Sequence, residues 1–252
     1  VSLLLRAAFL ETMRRREFYV LLLFMGLFLA AVGVVKLVGI ENAATATFLL
    51  NLGITTAFAL AHVLTLLTAL RSIAWEMESR TIYPLLAKPV SRAQYFAGKW
   101  LTATLAGVLA AGILCILGWL PVPKMEQFHA GMLVQALLLQ CISLGMLAAL
   151  SLLASLFSPM AVNVVFLVAL FAAGGRLAHA LKTKFLGTPV ELPVQWLAGY
   201  IPDFGFLNML AAYTDGMPPL GWSDFSVRIL YGCIITFAAV ATGAWVFERR
   251  NL

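Results

Sequence analysis

The sequence predicts an all-α integral membrane protein. Six transmembrane helices are expected, with an amphipathic helix ahead of them, a charged helical excursion between the second and third spans, and short helices on the outer face before the last span. Three observations carry that reading. Hydrophobic residues fill 62% of the 252 positions and charged residues only 11%, against about a quarter charged in soluble domains, so the apolar excess must face lipid. Several apolar runs reach the roughly 20 residues needed to cross the hydrocarbon core. None alternates apolar with polar residues as barrel strands do, and a helix satisfies its own backbone groups where there is no water.

Residues 1–17 form the first element. Leu3, Leu4, Ala7, Ala8, Phe9 and Leu10 supply an apolar side, while Arg6, Glu11, Arg14, Arg15 and Arg16 supply charge. This is the pattern of a helix lying in the interface. Spans are expected at residues 18–40, 47–70, 97–120, 131–157, 160–181 and 227–247. The first run follows an arginine cluster and carries no small-residue cleavage site, so it reads as a span and not as a signal peptide. Ser158-Pro159 marks a tight hairpin between the fourth and fifth spans, because proline disfavours helix in the residue before it. Residues 182–226 hold five prolines and a series of aromatics from Trp196 to Trp222, side chains that favour the headgroup level. A structureless loop of that length is unusual, so the runs 194–200 and 204–213 read as short helices that touch or dip into the outer leaflet. No internal repeat breaks the chain, and residues 1–252 read as one membrane domain.

Orientation follows from the basic residues. With the N-terminus inside, eleven of the seventeen Lys and Arg fall on the cytoplasmic side, leaving Lys36, Lys124, Arg176, Lys182, Lys184 and Arg228 outside. Six spans then return the C-terminus to the cytoplasm, which describes a multi-pass protein of the inner, cytoplasmic membrane. The net charge of +6 fits this bias and anionic lipid headgroups better than nucleic acid. Cys115, Cys141 and Cys233 lie in apolar runs without CxxC spacing and read as small packing residues.

The charged island at residues 75–99 is where such a protein would meet an aqueous partner. Glu76, Glu78, Arg80, Lys88 and Arg92 are costly in hydrocarbon. Residues 72–86 have an apolar side (Ile73, Met77, Ile82, Leu85, Leu86) and a wet one, Pro84 and Pro89 force changes of direction, and Ser91 is placed to cap a new helix leading into the third span. A bent element with one apolar and one charged side suits a groove on a soluble partner.

These residues resemble a family. Glu76-x-Glu78-x-x-Thr81-Ile82, then Leu85-Leu86-x-Lys88-Pro89-Val90-Ser91-Arg92, then Gly98-Lys99 is similar to the cytoplasmic signature of ABC-2 type transporter permeases, whose exporters have a type V-like fold. Phe9-Leu10-Glu11-x-x-Arg14-x-x-x-Phe18 resembles the family's elbow helix, and Phe247-Glu248-Arg249-Arg250-Asn251-Leu252 its usual ending. Many members carry glycine where this chain has Arg80. The resemblance implies that two permease chains pair, here as a homodimer, and that residues 72–96 couple to a separate ATP-binding subunit. Glu76, Glu78, Arg80, Thr81, Lys88, Pro89 and Arg92 would make that contact, with Glu11 and Arg14 of the elbow beside them. ATP and Mg would be bound by the partner and no cofactor by this chain. Membrane lipids and accessory envelope proteins complete the expected partners, and nucleic acid is not among them. The chain has no G-x-x-x-x-G-K-[ST] loop, since Gly98-Lys99 lacks the glycine five positions earlier, and it is therefore not expected to hydrolyse ATP itself.

Within the spans, Thr47, Asn51, Thr55, His62 and Thr65 recur at intervals of three and four with Phe58 in register, which puts them on one helical face. Asn51, Thr55 and His62 read either as a pathway or dimer face or as interhelical hydrogen-bonding residues. No second histidine or carboxylate is placed to make His62 a metal ligand. Arg176 and His179 read as snorkelling residues at the outer end of the fifth span, Gln135, Gln140 and Asn163 as interhelical bonding partners, and Gly174-Gly175 as a place for close approach or a bend. Asp203, Asp215 and Asp224 read as loop or cap residues. Two other functions stand beside the exporter: a non-transporting module that passes ATPase-driven motion to an envelope partner, and an intramembrane lipid-modifying enzyme, for which no convergent catalytic set is visible.

Overall fold

The structure is a computed structural model and describes residues 16–37, 43–78, 92–119, 130–184, 192–193, 195 and 201–249. Helix α1 spans Arg16–Leu37, α2 Ala43–Glu78, α3 Arg92–Trp119, α4 Ala130–Ser155 and α5 Met160–Lys184. A single 3-10 turn at Gly205–Leu207 and a short helix α6 at Leu210–Thr214 precede α7 at Trp222–Arg249. Among the described residues there is no strand, and six helices are long and apolar enough to cross a membrane. The expected elbow at 1–17, the expected helix at 194–200 apart from Gln195, and the excursion at 79–91 lie outside the described residues.

Helix α4 is the hub. It packs against α2, α3, α5, α6 and α7, and 67% of its apolar window is buried inside the protein, compared with 17% for α5 and for α7. Helix α1 leans on α2 and α3 from outside, and α5 on α2 and α4. Lipid tails are as apolar as leucine, so helices associate in a bilayer through close packing and hydrogen bonds. The α2–α3 seam shows how that is met. A Cβ on Gly53 would lie 2.8 Å from the Gly118 carbonyl oxygen, and one on Gly118 would lie 3.0 Å from the Gly53 carbonyl oxygen. Farther along, a Cβ on Gly107 would overlap the Thr65 hydroxyl, which donates to the Ala61 carbonyl at 2.8 Å. Ala57, Ala61, Ala103, Ala106 and Ala110 are all buried nearby.

The fourth and fifth spans join as the proline predicts, and a side chain holds the join. Asn163 Nδ2 donates to the Ala154 carbonyl at 3.1 Å and to the Ser158 carbonyl at 2.8 Å, supplying donors at the end of α4, where the helix's own run out. Asn163 is buried, and its bond to Ala154 runs from α5 to α4, as expected of an interhelical bonding partner.

Two boundaries differ from expectation. Helix α2 does not stop near residue 70 but continues unbroken to Glu78. Its apolar window ends at Ser72, so residues 73–78 carry the same helix about 9 Å farther at 1.5 Å per residue. The segment expected on the outer face, called the outer segment below, also does not simply rest on lipid. Phe204, Leu207, Leu210 and Tyr213 are buried, and the 3-10 turn and α6 pack on α2, α4 and α7. Burial pushes the Tyr213 phenol above its usual pKa, so it stays protonated. A Schellman turn ends α6: Met217 N–H donates to the Ala212 carbonyl at 3.0 Å and Gly216 N–H to the Tyr213 carbonyl at 3.1 Å. Gly216 has φ of 69°, a conformation that favours glycine.

Gly53→Val should force α2 and α3 apart and cost about 1–3 kcal/mol, the usual range for overpacking. Thr68→Val should cost nothing measurable or stabilise, because the buried Thr68 hydroxyl has no hydrogen-bond partner among the described residues and removing such a group relieves its desolvation penalty. Thermal unfolding of the two purified variants in detergent separates these outcomes.

Candidate functional site

Three places bear on function: the polar face of α2, a cavity at the C-terminal end of α5, on the side expected to be outer, and the ends of α3 and α7 on the side expected to be inner. The α2 face is divided among neighbours. Thr55 Oγ1 donates to Asn51 Oδ1 at 3.0 Å, Asn51 Nδ2 donates to Thr214 Oγ1 at 2.9 Å, and Thr214 Oγ1 donates to the Ala211 carbonyl at 2.9 Å. This chain of hydroxyl and amide groups ties α2 to α6. Thr55 remains exposed and Asn51 half-buried. His62 is buried, with Nδ1 at 2.7 Å from the Phe58 carbonyl and Nε2 at 3.0 Å from Ser143 Oγ on α4. A carbonyl only accepts, so the proton sits on Nδ1, and in the neutral ring Nε2 accepts the Ser143 hydroxyl. The ring also packs on Phe171 of α5, with centroids 4.7 Å apart. Both nitrogens are engaged, and no group of three metal-ligating side chains occurs among the described residues.

The cavity occupies about 720 Å³ between α4, α5 and the outer segment. Gln140, Ser143, Arg176, His179, Asp203 and Asn208 give it polar walls, with Phe171 and Phe204 between them. The walls opposite α5 are held in place. Gln140 Nε2 donates to Asn208 Oδ1 at 3.0 Å, and the same oxygen accepts from Leu210 N–H at 3.1 Å. Asp203 Oδ1 accepts from Gly205 N–H at 2.8 Å and Phe206 N–H at 3.3 Å, so it satisfies the first two N–H groups of the 3-10 turn from the residue ahead of its N-cap, Phe204. Gly174 and Gly175 permit the approach: a Cβ on Gly174 would lie 2.7 Å from the Pro202 carbonyl oxygen, and one on Gly175 would overlap the Asp203 carboxylate. Helix α7 grips the segment from the other side. Tyr231 Oη accepts from Asp203 N–H at 2.7 Å, Arg228 donates to the Phe206 carbonyl, and its guanidinium lies 4.6 Å from the Phe206 ring centre. Sequence reading placed Arg176 and His179 as a pair but did not foresee the cavity. The signal was present in Gly174-Gly175 beside Arg176 and in the Asp203-x-Gly205 turn.

At the opposite ends of the helices, Phe96 of α3 and Phe247 of α7 are fully buried, their ring centroids 6.3 Å apart. Tyr95 stacks on Phe247 at 5.7 Å. Gly243 makes room, since a Cβ there would overlap the Phe96 ring. Arg92 donates to the Glu248 carbonyl at 3.2 Å. Of the residues expected to contact an ATPase, Arg92 therefore opens α3 and holds the end of α7. Glu76 and Glu78 lie on the last turns of α2, and their side chains, like Arg80, Thr81, Lys88 and Pro89 altogether, lie outside the described residues. Glu11 and Arg14 of the expected elbow do too.

Ser143→Ala should leave His62 Nε2 without its donor and lower stability by about 0.6–1.7 kcal/mol, the span from the mean to the largest value measured for hydrogen bonds between membrane helices. Thr55→Val, at an exposed position, should stay near the wild-type value in the same unfolding measurement.

No individual curated protein matches the chain. A family model does: that of the ABC-2 family transporter protein matches residues 4–252, which takes in all six apolar helices, the outer segment and the inner clamp. The chain belongs to the ABC-2 family of transporter proteins, as one of its multi-pass membrane permeases.

Proposed function

We propose that this chain is the membrane-spanning subunit of an ABC exporter, driven by a separate ATPase that docks on residues 72–96. Glu76, Glu78, Arg80, Thr81, Lys88, Pro89 and Arg92 form the docking surface, and Glu11 and Arg14 support it. ATP and Mg belong to the partner. Both termini lie in the cytoplasm, the membrane is the inner one, and a second copy completes the pathway along the α2 face that holds Asn51, Thr55 and His62. The observation that carries the coupling assignment is the inner clamp. Residues 79–91 join the end of α2 to the start of α3. The first turn of α3 is fastened to the last turn of α7 through Arg92 and the Phe96, Tyr95 and Phe247 rings. A push delivered between α2 and α3 thus reaches three spans at once.

A second reading draws on the other end of α7. Arg228 and Tyr231 hold the outer segment, so motion received inside would also be delivered to the outer face, which is what a module acting on an envelope partner requires. ATPase activity without substrate-dependent flux in proteoliposomes would favour this reading over export.

Reversing both charges at Glu78 and Arg80 (E78R with R80E) should abolish copurification of the ATPase subunit while leaving membrane insertion intact. Undiminished copurification would remove the docking assignment. Single cysteines at Ser79 and Gly216, in a background lacking Cys115, Cys141 and Cys233, should react with a membrane-impermeant maleimide from opposite sides of the membrane. Labelling from one side would overturn the six-span topology.

A further inference from the structure

The outer cavity presents a cation and an anion that do not pair. Arg176 and Asp203 both line it, and among the described residues neither carries an ion pair. The position of the anion is built. Asp203 is fixed through Oδ1 by two backbone N–H groups and through its own N–H by Tyr231, leaving Oδ2 for a ligand. Its carboxylate lies against Gly175, the residue before Arg176, yet the two charges stay unmatched. His179 lies one turn beyond Arg176 on the same wall. Gln140, Ser143 and Asn208 add neutral hydrogen-bonding groups, and Phe171 and Phe204 pack with centroids 5.1 Å apart.

Opposite charges held apart at the edge of the hydrocarbon are costly, unless a ligand bears the complementary pair. A guanidinium fits a phosphate through parallel N–H donors, and a carboxylate fits an ammonium. The depth fits a lipid. Arg176 lies about 24 Å along α5 from Met160 at 1.5 Å per residue, near the far side of a core about 30 Å thick. Below it, α5 exposes Val162, Val165, Phe166 and Val168, a surface for acyl chains. The volume of about 720 Å³ falls within the range of small-ligand sites.

We propose that the outer cavity binds the headgroup of a zwitterionic amphiphile, with its phosphate on Arg176 and His179, its ammonium on Asp203 and its chains along α5. The site concerns the outer face alone and is assayed without an ATPase, so its failure would leave the coupling assignment untouched, and the reverse holds equally.

The test uses the full chain, delipidated in neutral detergent, and native mass spectrometry with short-chain phosphatidylethanolamine and phosphatidylglycerol of the same chain length. Phosphatidylethanolamine should bind about tenfold more tightly. D203N keeps an oxygen for Gly205 and Phe206 but loses the charge, and should erase that preference. R176Q should weaken both lipids by about tenfold, and because Arg176 makes no hydrogen bond to other described residues, this variant keeps the test decisive if D203N fails to fold. Equal binding of the two lipids to the wild type, or unchanged binding by R176Q, would overturn the proposal. Competition by free phosphoethanolamine at the same potency would assign the same charge pair to a soluble zwitterion and overturn the lipid source.

Discussion

The absence of a hydrophobic force between helices in lipid is the constraint on which everything else rests. A soluble bundle gains by removing leucine from water, but here leucine is as well placed against an acyl chain as against another helix. Cohesion must come from backbones that come close enough for dispersion to add up and from polar groups that find partners. The reciprocal contact of Gly53 and Gly118, together with the Gly107–Thr65 fit, supplies the first. The bonds from His62 to Ser143, Asn51 to Thr214 and Gln140 to Asn208 supply the second. Helix α4 becomes the hub because it receives bonds of this kind from α2 and the outer segment, and also accepts the Trp100 indole N–H at the Gly145 carbonyl, 2.9 Å away.

The same constraint accounts for the outer segment. Its backbone between Ile201 and Leu220 is mostly irregular, and irregular backbone packed on a helix bundle needs partners for its polar groups. Asp203 and Asn208 cap it from within, and Tyr231 and Arg228 fasten it from α7. Gln135 exchanges two bonds with Leu220, its Nε2 donating to the carbonyl at 3.1 Å and its Oε1 accepting the N–H at 2.8 Å. The polar residues that looked like scattered loop and span positions are therefore largely the supports of one inserted element.

This explains what the sequence made legible. The number and rough limits of the spans follow from composition and run length, properties of the chain taken piece by piece. The hairpin at Ser158-Pro159 is equally local. The continuation of α2 to Glu78 was hidden because Trp75, Glu76 and Glu78 break the apolar run, although charge at a helix end outside the hydrocarbon costs little. The cavity was hidden for a different reason: Gln140, Arg176 and Asp203 come from three separate elements, and no spacing rule joins residues that meet only through packing.

Helix α7 connects the two ends of the molecule. Its inner end holds the start of α3 through Phe247 and Glu248, and its outer end holds the inserted segment through Arg228 and Tyr231. Between them, Gly232 lets it pack directly on Ile142 of α4 and on Leu207 of the 3-10 turn, because any Cβ there would overlap the Ile142 side chain. Asp224 in its first turn and Arg249 in its last both complement the helix dipole. Tyr231 and Arg228 hold Asp203 and Phe206, and Asp203 borders the outer cavity. Helix α7 thus joins the start of α3 to the wall that carries Asp203, so the docking surface proposed above and the outer cavity lie at the two ends of one helix.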